Sequence, residues 1–314
     1  MTEAPGQADA QVPVALFVHR RYELLPRTLE CLRTSGIGKL YVFSDGPRHA
    51  ADEAGVAKVR DLIASIDWTD PVLVARRENL GLSNSIRAGL DELFASHEAA
   101  VIVEDDICVA PEFYDYACRA LRRYRHEPRV AGITGCRMPF RTTAFDTYPF
   151  DVFLSQRFSS WGWATWRDRW QGFSFDLHAL RSEMAAATDF RPARAGYDVP
   201  GLIHDAVVAE RLDGAWDVVC NTNMLLRGQY FVNPCWNMVE NTGFEDGTHF
   251  TGPPPWRLEW ERDRRPVGEI RFAPVQESEA ILRDYLRFSR PTRVQLVRGL
   301  AGAVKVRLTG LFGR

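Results

Sequence analysis

Apolar residues fall in short unbroken runs separated by stretches of helical spacing. Val14-Ala15-Leu16-Phe17-Val18 opens the series and ends in His19-Arg20-Arg21. A run this short and apolar at every position predicts a strand buried on both faces. Leu25, Leu29 and Leu32 then share a helical face, with Pro26 in the first turn, where a missing N–H is tolerated. Gly36 and Gly38 end that helix. Leu40-Tyr41-Val42-Phe43 predicts a second strand, stopped by the turn text Ser44-Asp45-Gly46-Pro47. The alternation continues with a helix over 51–66, a strand over 71–75, a helix over 83–96 and a strand over 99–103. Pro111 opens another helix carrying Phe113, Ala117, Ala120 and Tyr124 on one face, and a fifth strand covers 130–134. Such alternation predicts an α/β fold with a mostly parallel central sheet and helices on both faces.

The regularity fades after Cys136. Helices are expected over 200–213 and 216–226, and a short strand near Tyr230–Val232. Trp163, Trp166 and Trp170 are spaced by three and four, which predicts one packed face of a helix. The layout is an unstructured lead-in over 1–12, a domain over 13–250 with halves 13–135 and 136–250, an extension over 251–289 wrapped on it, and a tail over 290–314.

Composition narrows the classes. With 46% hydrophobic and 25% charged residues the chain is globular rather than disordered or coiled-coil. The 39 basic and 41 acidic residues give −2, so no basic balance argues for a nucleic-acid partner. The tail is the exception: residues 290–314 carry five Arg, one Lys and no acid. Its apolar residues (Val297, Leu300, Val304, Leu308, Leu311) recur at helical spacing beside Arg298, Lys305 and Arg307. That pattern suits either peripheral contact with an anionic membrane or docking on the protein's own acidic body. The six Cys (31, 108, 118, 136, 220, 235) form no CxxC and read mostly as small core residues. No signal-peptide pattern and no apolar run of about 18 residues is visible. A cytoplasmic location, at most at the inner membrane face, is the expectation.

Ligands of open α/β sheets bind beyond the carboxyl ends of the strands. Three strands end there in polar text: Arg20-Arg21, Asp45-Gly46 and Glu104-Asp105-Asp106. Three consecutive acids repel one another unless a cation or ligand donors compensate. Strand alternation puts Glu104 and Asp106 on one face and Asp105 on the other. Oxygen ligands with no His or Cys nearby suit Mg²⁺ or Mn²⁺. The competing reading is an exposed acidic turn before a helix N-terminus. No glycine-rich phosphate loop is present, so a phosphorylated ligand would rely on a metal and on arginines such as Arg21.

Several blocks resemble a family. FVHRRYELLPRTLECL (17–32), FSDGPR (43–48), RRENLGLSNSIRAGL (76–90) and VIVEDDICVAPEFYDY (101–116) are similar to nucleotide-sugar glycosyltransferases of the GT-A fold. The likeness points to the branch of N-acetylglucosaminyltransferase I and related bacterial sugar transferases. SSWGWATWRDRW (159–170) and NMVENTGFEDGTH (237–249) extend it over most of 13–250. The resemblance implies a nucleotide-binding half and an acceptor half, with Asp106 as the metal ligand of a DxD-type site. It implies that Glu104 and Asp105 bind ribose and donor sugar, that Asp45 reaches the nucleobase, and that Arg21 lies near the nucleotide. Where the bacterial members read Asn-Arg-Pro, this chain reads Arg20-Arg21-Tyr22. Arg77 and Asn79 are placed beside the donor by the same likeness.

Transfer with inversion needs a carboxylate to take the acceptor proton. Asp198, Asp205, Glu210, Asp213 and Asp217 are candidates. Asp217 follows Trp216 as in the family's Trp-Asp pair, so it is the expected base, with a helix cap as its alternative role. Trp161, beside Gly162, is a candidate floor for a sugar ring. His249 is a candidate for the metal or diphosphate, or a structural histidine. These features together imply a metal-dependent, inverting hexosyl- or N-acetylhexosaminyltransferase that uses Mn²⁺ or Mg²⁺. It would move sugar from a nucleotide-diphospho-sugar, UDP-linked by preference, to a glycan or glycolipid of the cell envelope. A nucleotidyltransferase and a non-catalytic nucleotide- or carbohydrate-binding module are the alternatives.

Overall fold

A computed structural model describes residues 11–210, 215–243 and 268–290. His249, Asp213, the end of the helix expected over 200–213, residues 251–267 of the extension and the tail beyond Arg290 lie outside the described residues. The fold class is α/β with a mixed central sheet. The first half is β1 (Val14–Val18), α1 (Leu25–Thr34), β2 (Leu40–Ser44), α2 (Ala50–Ala64), β3 (Val72–Ala75), α3 (Leu82–Phe94) and β4 (Ala99–Glu104). It continues with β5 (Ile107–Val109), α4 (Phe113–Tyr124) and β6 (Val130–Thr134). The second half holds β7 (Val152–Ser155), β8 (Trp163–Trp166), α5 (Arg167–Gln171), α6 (Leu177–Ala186), α7 (Val199–Ile203), α8 (Trp216–Leu226), β9 (Tyr230–Pro234), β10 (Val239–Asn241) and α9 (Glu279–Phe288).

The main sheet runs β3-β2-β1-β4-β8-β6-β9-β7, and β10 pairs with β5 in a separate ribbon. The β3-β2-β1-β4 half is parallel throughout, as expected. Beyond it β8 runs antiparallel between β4 and β6, and β7 antiparallel to β9. Period-two alternation explains why the strands are apolar at every position. Val14, Leu16 and Val18 face a core built with α1, α2 and α4, while Ala15 and Phe17 face a second core built with α3 and α8. Burying each of the Val, Leu and Phe side chains contributes about 1.5–3 kcal/mol.

The tryptophan reading needs correction. Trp163 and Trp166 lie on a strand, not on a helix with Trp170. Three residues apart on a strand is the opposite face, so Trp163 enters one core and Trp166 the other. Pairing on both sides with β4 and β6 outweighs the helical spacing. The helix expected over 200–213 stops at Ile203 and continues as a π-helical turn, His204–Val208. The described part of the extension does pack on the domain: Tyr124 donates to Ala273 O at 2.6 Å, and Arg271 pairs with Asp151.

The cysteine reading is also corrected. Cys31 on α1 and Cys108 on β5 form a disulfide with Cα atoms 5.6 Å apart, while Cys118, Cys136, Cys220 and Cys235 are not disulfide-bonded. The denatured, unreduced chain should therefore titrate four thiols and not six. Reduction should lower folding stability by about 2–4 kcal/mol, read from the urea midpoint. Six titrating thiols would show that the bridge does not form.

Candidate functional site

Parallel register carries the polar strand ends to one edge. Phe17 sits opposite Glu104, Val18 opposite Ser44, and Ser44 opposite Ala75. His19, Arg21, Asp45 and the acid triplet therefore leave the sheet together, where open α/β sheets bind ligands. The acid turn is held from two sides. On the α1 side, Thr28 donates its hydroxyl to Asp105 O at 2.9 Å, and the Cys31–Cys108 bridge lies just beyond. On the other, β10 pairs with β5, and Thr242 N donates to Asp106 O at 2.8 Å. The Asn237–Gly243 part of the NMVENTGFEDGTH block thus lies directly against Asp106.

The triplet departs from the expected alternation. The strand stops at Glu104, so Asp105 and Asp106 occupy a turn and both carboxylates converge on Arg21. Arg21 Nη1 donates to Asp106 Oδ2 at 2.8 Å, and Nη2 donates to Asp105 Oδ1. Burial alone would pull the Arg21 guanidinium down, but Asp105 and Asp106 reverse this and hold it above its ordinary value. Burial pushes Asp105 up to about 6 against the opposing pull of Arg21. Burial, then Asp106 and Asp105, push Glu104 well above the carboxylate range. One arginine thus undercompensates three acids, which leaves room for further positive charge.

Among the described residues no group of three or more His, Cys, Asp or Glu side chains converges to hold a metal. A hard cation that arrives on a diphosphate needs only one or two protein carboxylates, so this all-oxygen donor set fits Mg²⁺ or Mn²⁺.

Asp45 is 5% exposed and its carboxylate is saturated. It accepts from the N–H groups of Gly46, Leu80 and Gly81 at 3.0, 2.9 and 3.1 Å, and from Asn79 Nδ2 at 3.0 Å. Asn79 also donates to Gly46 O at 2.9 Å. Asp45 and Asn79 thereby clamp the Arg77–Gly81 turn onto the end of β2. Gly46 allows the contact, because a Cβ there would lie 2.6 Å from Glu78 O and 2.7 Å from Arg77 O. The Arg77 side chain is exposed. Asp45→Ala should cost about 1–3 kcal/mol by stranding buried donors, read by chemical denaturation. A loss below about 0.5 kcal/mol, the range of ordinary surface substitutions, would refute the clamp.

Asp217 comes from the other half of the chain. It sits in the first turn of α8, one residue past Trp216, and the N-cap position belongs to Ala215, which makes no side-chain cap bond. The cap alternative therefore does not hold at the N-cap itself, although negative charge in this turn still suits the helix dipole. The Asp217 charge adds to the upward push on Glu104 and reaches Arg157 and Cys220. It thus shares the electrostatic neighbourhood of the triplet. The other carboxylates are engaged elsewhere. Asp198 accepts from Arg157 Nη1 at 2.8 and 2.9 Å, Glu210 pairs with Arg181 at 2.6 Å, and Asp205 lies 3.1 Å from His204 Nδ1.

Trp161 is half-buried against the core on the α1 side of the sheet. The neighbouring Gly162 serves the packing of the chain itself. Its φ is +57°, and a Cβ would lie 2.8 Å from Val239 Cγ1, so the chain itself fills that space.

The sequence reading missed two residues. His19 lies between the halves of the edge: its N–H donates to Asp105 Oδ2 at 3.4 Å and its Nε2 is 3.0 Å from Gly46 O. Its place directly after the first strand was the available signal. Arg157 had none, being one of many arginines in an irregular segment. It is held by Asp198, Ala195 O and Tyr285, and lies within the field of Asp217.

The cavity lined by Phe17, His19, Arg21, Asp45, Leu82, Ser85, Glu104 and Asp105 is about 60 Å³. A larger cavity of about 730 Å³ opens at the opposite edge, beside Ala99 and Trp166. Its Arg125 is already paired with Glu98 and Asp168.

Comparisons with known proteins add likenesses of low strength. The S. aureus TarS 1-349 crystal structure aligns with TM-score 0.44 and 11% identity, covering 75% of this chain and 61% of that one. This chain therefore spans less than two thirds of the TarS chain it matches. Mannosyltransferase PcManGT from Pyrobaculum calidifontis, in complex with GDP-Man and Mn²⁺, aligns with TM-score 0.42 and 16% identity, covering 69% of each chain. No protein-family model and no curated protein matches the sequence. TM-scores this low decide nothing about activity, which rests on the site's own residues. Among the described residues no helix is long and apolar enough to cross a membrane.

Proposed function

We propose that this protein is a metal-dependent, inverting glycosyltransferase of the GT-A type. It would transfer a hexosyl or N-acetylhexosaminyl group from a nucleotide-diphospho-sugar, UDP-linked by preference, to a hydroxyl of a glycan or glycolipid. The observation that supports this reading is the convergence of Asp105 and Asp106 on Arg21 at the carboxyl edge of the parallel strands. The undercompensated triplet comes from β4, and an independent carboxylate, Asp217, arrives from α8 within its field. The block around the triplet (101–116) and the Trp216-Asp217 pair resemble the same family.

Asp106 would hold the cation, which when bound would supply positive charge at the diphosphate, and Arg21 contributes the fixed positive charge beside it. Glu104 hydrogen-bonds a ribose or sugar hydroxyl of the donor. Asp105 orients Arg21. Asp45 acts on the donor through the Arg77–Gly81 turn it clamps, with Arg77 and Asn79 at its surface. Asp217 removes the acceptor proton as the hydroxyl attacks the anomeric carbon. Trp161 offers an aromatic face to a sugar ring, and His249 a further ligand to the metal or diphosphate.

Calorimetry against a panel of nucleotide-sugars, with and without Mn²⁺, tests the reading together with donor hydrolysis. Metal-dependent binding of one donor with slow hydrolysis is expected. Pyrophosphate release from a nucleoside triphosphate would instead identify a nucleotidyltransferase, and binding without any turnover a binding module. Peripheral membrane contact belongs to the proposal through the basic tail. Deleting residues 290–314 should release the protein from anionic vesicles while leaving donor hydrolysis nearly unchanged, and equal vesicle binding by both forms would refute that contact.

A further inference from the structure

We infer that Arg21 is a resident counter-cation that keeps bare divalent metal off Asp106 and yields only to a cation arriving on a diphosphate. The inference rests on the metal-nucleotide reading above and concerns the order in which the site fills. The Asp105 and Asp106 side chains are only 5% and 13% exposed. Two adjacent carboxylates shielded to this degree require a partner. Arg21 supplies it to both at once, with one Nη on each carboxylate. A planar guanidinium suits this bridging, and a lysine ammonium, a single point charge, does not.

The bridge is also roofed. A Cβ on Gly243 would overlap Asp106 Oδ2 and lie 3.0 Å from Arg21 Nη1, so the backbone after β10 lies directly on the pair. The space left beside it is about 60 Å³, far below the several hundred Å³ of an ordinary ligand pocket. A nucleotide therefore cannot enter while Arg21 bridges the acids. A lone cation on Asp106 would have to displace Arg21 Nη1 there and leave a guanidinium that is 28% exposed with only Asp105 of its two bridged anions. Removing one member of a shielded charge pair is strongly unfavourable. A cation carried by a diphosphate solves both problems. It occupies Asp106 while the phosphate oxygens offer Arg21 a replacement anion that accepts bidentate hydrogen bonds. Every charge keeps a partner through the exchange, so metal and nucleotide each raise the other's affinity.

The test reads binding, not turnover. Free Mn²⁺ is followed by electron paramagnetic resonance in the full-length protein, with and without UDP. Arg21→Met preserves length and removes the charge. A neighbouring unit charge changes a proton's affinity by about ten- to a thousandfold. The variant should therefore bind bare Mn²⁺ at least about tenfold more tightly than wild type. With UDP present the order should reverse, because the diphosphate has lost its arginine. Arg21→Lys should fall between the two in both assays. Bare Mn²⁺ affinity equal in wild type and Arg21→Met would overturn the inference and leave the metal-nucleotide reading standing. Absence of Mn²⁺-dependent UDP binding in wild type would overturn that reading.

If Arg21→Met fails a thermal melt, the wild-type protein decides the matter by NMR of ¹⁵N-arginine side chains. The bridged Arg21 Nη signals should persist with Mg²⁺ alone and shift when Mg²⁺ and UDP are added together. Signals unmoved by the pair, or displaced by Mg²⁺ alone, would overturn the inference.

Discussion

Asp217→Asn should leave Mn²⁺ and UDP affinities near wild type while lowering sugar transfer by about 10²–10⁴-fold, the usual contribution of a general base. The substitution keeps the size of the side chain and removes only its charge. A base acts on the acceptor proton, so its loss appears in turnover and not in donor binding. The first turn of α8 supports the design, because Ala215 and not Asp217 stands at the N-cap and the helix loses no side-chain cap. Asp205→Asn is the appropriate control, since its carboxylate pairs locally with His204. Asp198→Asn is a poorer one, because it releases Arg157 within the field of Asp217. Transfer by Asp217→Asn within about threefold of wild type, outside the range for losing a base, would remove Asp217 from the mechanism. A collapse confined to Asp205→Asn would move the role there.

Asp106→Asn should abolish metal-dependent UDP binding and turnover together, the opposite pattern to Asp217→Asn. Even the loss of an outer-sphere partner lowers metal affinity by about 10–100-fold, so loss of the ligand itself should exceed about a hundredfold. The fold should survive, because Arg21 keeps Asp105 and the backbone of the turn stays held by Thr28 and Thr242. A thermal melt beside the calorimetry separates the two effects. Unchanged Mn²⁺-dependent UDP binding in a folded Asp106→Asn protein would sink the metal assignment.

These two residues also show how far sequence reading reaches. The parallel half of the sheet was legible because its strands are apolar at every position and its helices carry one apolar stripe each. Its polar strand ends were legible for the same reason: polar text after a buried strand marks where the strand emerges from the sheet. Asp45 illustrates the limit. The sequence placed it at the site edge, but only the structure shows its carboxylate saturated by the Gly46, Asn79, Leu80 and Gly81 donors.

Local pattern alone determined the α/β class, five of the six strands from Val14 to Thr134 (the short β5 was missed) and the strand-end position of Arg21, Asp45 and the acid triplet. It did so because period and turn chemistry are properties of neighbouring residues. Whatever depends on partners distant in the chain was decided by tertiary structure. Trp163 and Trp166 became a strand because β4 and β6 flank them, despite a spacing that also suits a helix. Cys31 found Cys108 across 77 residues, a pairing that cysteine spacing cannot specify. Arg21 met Asp105 and Asp106 across 84 and 85 residues. Asp217 reached the field of Glu104 only because α8 packs beneath the same sheet. In each case the energy lies in a contact between surfaces the chain creates only on folding, so no local window of sequence contains it.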